Sequence, residues 1–204
     1  GGYETSTSNS LAHTYTAGNY DLVVYSDDVY RPYLNNVTAD ATQITSVVIG
    51  SGADLGTNIG GAWFGASNMT SFVCAFDVTS GVASFSQAWR NCNSLTSFPL
   101  IDTSSGTSFG NAWRLCTSLT SFPANMFDTT GTLVANAFDR TWQSCALTAQ
   151  SIENILVSLD TNGATGITLG ISSGTNAAKS TWSTAANTAY DNLITKGWTI
   201  TFNA

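Results

Sequence analysis

Cysteine, arginine and tryptophan recur at matched positions along the chain, and each of these residue types has chemistry open to it. Cys92, Cys116 and Cys145 occupy corresponding places in successive segments, while Cys74 is out of phase with them. Thiols so placed would act as metal ligands, as disulfide partners between neighbouring segments, or as small apolar core residues. With no Cys-x-x-Cys pair present, buried free thiols are the preferred reading. Arg90, Arg114 and Arg140 are half of the 6 Lys and Arg residues. Such a row would suit an acidic glycan, although solubilising that face or pairing with Asp102 and Asp128 is the plainer reading. Groups for acid–base work are few: His13 is the only histidine, Glu4 and Glu153 are the only glutamates, and the adjacent Asp27 and Asp28 sit in a turn-like context. No triad can be assembled. The chain is expected not to be an enzyme, with no catalytic, metal or cofactor-binding residues and no cofactor.

These residues are positioned by self-similarity at a period near 24 residues. Ala88-Trp89-Arg90-Asn91-Cys92-Asn93-Ser94-Leu95-Thr96-Ser97-Phe98-Pro99 returns as Ala112-Trp113-Arg114-Leu115-Cys116-Thr117-Ser118-Leu119-Thr120-Ser121-Phe122-Pro123. A weaker copy runs from Ala62 to Phe72, and a degenerate one from Thr141 to Thr148. Phe85, Ala88, Trp89 and Cys92 fall at i, i+3, i+4 and i+7, the spacing of one helical face, and Phe109, Ala112, Trp113 and Cys116 repeat it. Each Leu-Thr-Ser-Phe that follows reads as a short strand. A unit of this size cannot bury its apolar face alone, so the units are expected to stack as an α/β solenoid with parallel strands on one side and helical turns on the other. The expected repeat core is Trp63, Phe72, Phe85, Trp89, Cys92, Leu95 and Phe98, continued by Phe109, Trp113, Cys116, Leu119, Phe122, Trp142 and Cys145. Thr96, Thr120, Arg90 and Arg114 form the candidate ligand face.

The flanks differ from the repeats. Residues 1–60 hold strand candidates at Tyr20–Tyr25 and Ile44–Ile49 and read as a β-rich N-terminal cap or arm; residues 61–148 carry the repeats; residues 149–204 read as an α/β C-terminal cap. In that last part Ile152, Ile155, Leu156 and Leu159 have helical spacing, with Thr148 as N-cap and Asn162-Gly163 as the stop. A strand at Ile167–Ile171, a helix over about 181–195 and a strand at Trp198–Phe202 complete a parallel βαβ crossover.

The composition narrows the function classes. Only 9% of the 204 residues are charged while 43% are hydrophobic, which excludes a disordered chain, and polarity must come from Ser, Thr, Asn and Gly. A net charge of -7 argues against nucleic acid as a partner, and no apolar run approaches the length of a membrane helix. Opening at Gly1-Gly2-Tyr3 without Met, the sequence reads as a processed form or an excised fragment.

The unit Phe-x-x-Ala-Trp-x-x-Cys-x-Ser-Leu-Thr-Ser-Phe-Pro, most specific over residues 62–148, resembles the BspA-type leucine-rich repeat, with Ala-Trp where that family usually has Met-Phe. The stretch from Ser151 to Leu159, Gly174-Thr-Asn-Ala-Ala178, Lys196-Gly-Trp-Thr-Ile-Thr201 and the start from His13 to Tyr20 are similar to segments of bacteriophage virion proteins that carry this repeat. The resemblance implies a leucine-rich-repeat-like solenoid in a virion-surface or extracellular protein, first of all a phage tail-fibre or surface protein. Such a protein would bind a host surface glycan or protein through a rigid repeat face. A non-catalytic subunit of an extracellular filament or capsid decoration, or a bacterial adhesin, is the alternative. Partners expected on this reading are host glycan or protein, or other virion or filament subunits in a homo-oligomer or multicopy assembly, with no nucleic acid and no membrane insertion.

Overall fold

The computed structural model describes residues 41–204. Glu4, His13, Asp27, Asp28 and the strand expected at Tyr20–Tyr25 lie outside the described residues.

Two pairs of short parallel strands stand near the ends of the described chain. β1 (Ser46–Ile49) runs beside β2 (Ser71–Cys74), with Val47 opposite Phe72 and Ile49 opposite Cys74. β3 (Thr168–Gly170) runs beside β4 (Thr199–Thr201), with Leu169 opposite Ile200. The helix α1 (Ala149–Asn162) begins where Thr148 accepts a hydrogen bond from the Ser151 N–H and stops at Gly163, whose φ of 80° is cheap for a residue without a Cβ. The helix α2 (Thr184–Thr195) is capped in the same way by Ser183, which accepts from the Ala186 N–H, and it packs against α1. Single turns of 3-10 helix at Phe76–Thr79 and Lys179–Thr181 complete the regular structure.

Between β2 and α1 the chain is built from stacked tiers of turns. The Trp89 N–H donates to the Ala112 carbonyl of the next tier (2.9 Å), Trp113 to Thr141 (3.1 Å) and Trp142 to Gly170 (2.9 Å), so these amides bond across tiers and not to a carbonyl four residues back. Within a tier the bonds are turn bonds, Ala88 to Phe85 (3.0 Å) and Cys92 to Trp89 (3.2 Å). Left-handed residues recur four apart: Gln87 (φ 61°) and Asn91 (64°), Asn111 (59°) and Leu115 (65°), Arg140 (52°) and Ser144 (64°). A helix cannot pass through such residues, so the expected helical turns at Phe85–Cys92 and Phe109–Cys116 are replaced by consecutive β-turns.

The strands expected down the other side also stop short. Leu-Thr-Ser-Phe meets its successor at one isolated bridge, Ser97 opposite Ser121, and Pro99 and Pro123 follow at once with no N–H to continue the ladder. The two named sheets stay separate at two strands each. The described residues therefore form a compact α/β domain of two helices and two small sheets. This corrects the expected leucine-rich-repeat-like solenoid with its parallel strands and caps: the C-terminal segments do form the parallel β3–α2–β4 crossover, but with no solenoid for it to cap, and residues 1–40 of the expected β-rich N-terminal cap lie outside the described residues. The resemblance to BspA-type leucine-rich repeats is corrected with it, because among the described residues neither an elongated curved sheet nor a helical repeat face is formed.

The core is aromatic and runs through the tiers. Trp63, Trp89, Trp113 and Trp142 stack nearly parallel at centroid separations of 5.4, 5.1 and 5.5 Å. Phe72, Phe98 and Phe122 form a second row at 5.4 and 5.9 Å, and Phe85, Phe109 and Phe138 a third at 4.8 and 5.0 Å. The second row meets the indoles edge to face, as Phe98 does Trp89 at 4.6 Å and 72°, an arrangement worth about 0.5–1.5 kcal/mol per pair beyond the area buried. Met69, Leu95, Leu119 and Leu147 are buried alongside.

The last tier leaves a row of backbone groups that α1 covers with polar side chains. Ser151 Oγ accepts from the Phe122 N–H (3.0 Å) and donates to the Thr120 carbonyl (2.8 Å). Asn154 Nδ2 donates to the Phe122 carbonyl (2.9 Å), Ser158 Oγ accepts from the Phe127 N–H (2.8 Å), and Asn162 Nδ2 donates to the Thr130 carbonyl (2.9 Å). Three- and four-residue steps put all four on one side of the helix, so α1 completes hydrogen bonds that an open edge would leave to water.

Candidate functional site

Each tier turns out of the core just after its tryptophan, and three of these exits together form a shallow groove. Its walls are Phe64, Gly65 and Ser67 from one tier, Asn91 and Asn93 from the next, and Leu115 and Thr117 from the third, with Thr42 at one end; it encloses about 360 Å³. Gly65 (φ 80°), Asn91 (64°) and Leu115 (65°) are the left-handed residues that fold the chain back at the groove floor. Asn93, with its amide oriented so that Nδ2 donates to the Asn91 carbonyl (3.2 Å) and the Leu115 carbonyl (2.6 Å), is pinned across two tiers. Its Oδ1 remains an acceptor. Among the described residues the lining combines one aromatic ring, one aliphatic side chain and neutral amides and hydroxyls, with no group that titrates near neutral pH.

One arginine borders this groove. The Arg90 guanidinium lies over the Phe64 ring, 5.3 Å from its centroid, and its Nη1 donates to Gln87 Oε1 (3.0 Å). Arg114 Nη1 donates to Asn111 Oδ1 at 3.4 Å, and Arg140 Nε pairs with Asp139 at 3.0 Å. Burial, then the charges of Arg114 and Arg140, lower the pKa of Arg90. The expected partners are engaged elsewhere: Asp102 accepts from the Ser104 N–H (2.8 Å) and Asp128 from Ser158 Oγ (2.6 Å). Among the described residues Arg90 and Arg114 have no carboxylate partner, and their Nε atoms are shielded from solvent without an acceptor.

Of the candidate ligand face, the structure sets Arg90 beside the groove and leaves Thr96 and Thr120 out of its lining. Thr120 Oγ1 donates to the Thr96 carbonyl (3.1 Å), bonding one tier to the next. Sequence reasoning missed Phe64, Asn91, Asn93 and Leu115; the available signal was their place one, two and four residues after a tryptophan.

The cysteines take no part in this site. All four are free and buried. Cys92, Cys116 and Cys145 donate from Sγ to the carbonyls of Trp63 (3.3 Å), Trp89 (3.1 Å) and Trp113 (3.1 Å), one tier back in each case. A hydrogen bond with Cys116, together with burial, raises the Cys92 pKa; burial, then the neighbouring Cys116, raises that of Cys145. Burial, then the Asp77 charge, pushes Cys74 up to about 11. Thiols so raised stay protonated and are poor nucleophiles near neutral pH. Among the described residues no three His, Cys, Asp or Glu side chains are grouped to hold a metal ion, and no helix is long and apolar enough to cross a membrane.

The expected phage tail-fibre or surface protein, with its filament, capsid-decoration and adhesin alternatives, required an elongated repeat face. The compact two-helix domain described here has no such face, and that role is corrected along with the virion, host-recognition and adhesion properties attached to it. No family model, curated protein or solved structure matches the chain.

Proposed function

We propose that this chain acts by binding and not by catalysis, and that its ligand is a small, hydroxyl-rich molecule of the saccharide type held in the groove between the three tiers. The observation that carries the reading is the lining: the Phe64 ring and the Leu115 side chain offer apolar surface to a sugar's C–H face, while Asn91, Asn93, Ser67 and Thr117 offer neutral hydrogen-bonding groups around it. A volume near 360 Å³ is within the usual range for a small-ligand site. The floor is fixed by bonds between tiers, such as the Gly65 N–H to the Arg90 carbonyl and the Asn91 N–H to the Arg114 carbonyl, both 2.9 Å, so little ordering is left for the ligand to impose.

The test is titration with maltotriose, cellotriose and galactotriose, followed through the backbone amide resonances of Gly65, Asn91 and Asn93. At least one trisaccharide is expected to shift these resonances with a Kd of roughly 0.1–10 mM, the range for a shallow open site. Phe64→Ala should weaken that binding about tenfold, with the fold retained. Shifts scattered over the surface, or binding indifferent to Phe64→Ala, would refute the proposal.

A further inference from the structure

Given that groove reading, on which this step rests, we infer that Arg90, with the charge of Arg114 near it, makes the site selective for an anionic ligand: a saccharide whose carboxylate or sulfate ester reaches the guanidinium at its edge. The chain spends few cations, with 6 Lys and Arg against 13 Asp and Glu, yet Arg90 lies near enough to Arg114 and Arg140 to feel the charge of both. Like charges brought together usually have a counter-ion close by. Arg140 has Asp139 at 3.0 Å, and among the described residues Arg90 and Arg114 have only neutral amides, Gln87 at 3.0 Å and Asn111 at 3.4 Å.

A further observation points to an acceptor supplied from outside: the Arg90 guanidinium is fixed over Phe64, the same ring that lines the groove, so a ligand resting on Phe64 would have its acidic substituent within reach of that fork. Planar guanidinium groups recognise carboxylate and sulfate oxygens through paired N–H donors, and a lysine ammonium cannot copy that geometry.

The experiment compares each neutral trisaccharide above with its uronate and sulfate-ester counterparts, using the same resonances, at 20 and 300 mM salt. The anionic forms are expected to bind at least tenfold tighter than the neutral ones at low salt, with the preference shrinking as salt rises. Arg90→Gln/Arg114→Gln should abolish the preference, so that anionic and neutral forms bind alike, and Arg90→Lys/Arg114→Lys should restore only part of it. Arg140→Gln, whose charge Asp139 already engages, should change little. Equal affinity for neutral and anionic forms, a preference that survives the double Gln variant, or an equal loss in Arg140→Gln would overturn the inference while the groove stands. If no trisaccharide of either charge perturbs the groove, the groove reading itself falls and this inference with it. Tighter binding of the uronate, or of the sulfate ester, identifies which anion the site takes.

Discussion

Asn176 shows how much one side chain can hold in this molecule. It is buried, its Oδ1 accepts from the Leu147 N–H (2.9 Å), and its Nδ2 donates to the carbonyls of Trp142 (2.9 Å) and Ile171 (3.0 Å). One amide thus ties both ends of the last tryptophan tier, Trp142 and Leu147, to Ile171 and to its own segment. Removing it strands one backbone donor and two acceptors away from water, and each such group costs about 1–3 kcal/mol. Asn176→Ala is therefore expected to lower the unfolding free energy by about 3 kcal/mol in urea titration. Asn176→Asp should fare no better, because a carboxylate keeps the acceptor and turns both donor contacts into repulsions. A loss under 1 kcal/mol for Asn176→Ala would show that the bracket is dispensable. The sequence sets this residue in the Gly174-Thr-Asn-Ala-Ala178 stretch but gives no sign of what it holds, since its partners are main-chain atoms up to 34 residues distant.

The secondary elements divide into those the sequence makes legible and those it conceals. Helix α1 was readable because its signals are local: apolar residues at helical spacing, a Thr cap and an Asn-Gly stop, and it runs from Ala149 to Asn162. Helix α2 and the short strands β3 and β4 were readable for the same reason. The tryptophan turns were not, because turns that place left-handed residues four apart bury positions i, i+3, i+4 and i+7 just as a helix does, so the apolar pattern cannot separate the two. Asn91 and Asn111 carried the distinguishing signal, being residues that tolerate positive φ, but Leu115 and Gln87 at the matching positions obscured it. The polar stripe of α1 was hidden as well. Ser151 and Ser158 fall on the buried face, where a hydroxyl reads as tolerated and not as needed, yet each takes the N–H of a phenylalanine. Ser158→Ala should cost about 1–3 kcal/mol, since it removes the acceptor for the Phe127 N–H and the donor to Asp128 together. Chemical denaturation of the variant checks it, and a surface substitution on the same helix such as Val157→Ala serves as the comparison.

At the scale of the whole domain, the four cysteines report on global unfolding. All are buried in one aromatic core, so labelling by a thiol reagent at neutral pH should proceed only as fast as the domain opens, with the four sites protected together. The pH dependence follows from the raised thiols. An unfolded Cys74 ionises near its ordinary 9.0, whereas the folded one holds its proton to about 11. Between those values the unfolded state has fewer protons bound, so stability is level below pH 9 and declines from there toward pH 11. Cys92 and Cys145, raised as well, act in the same sense. Urea midpoints measured at pH 7, 9 and 10.5 are expected to fall only at the last, and replacing Cys74 by Ala should flatten part of that slope. The groove belongs to this scale too. Its residues come from three tiers, so their separation along the chain hid a site that exists only once the tiers are in register.

Four parallel indoles a little over 5 Å apart also have an optical consequence. Light absorbed by one of them is not kept there: at such range the excited state is shared along the row before emission. A quencher placed beside any one of these rings should therefore dim all four.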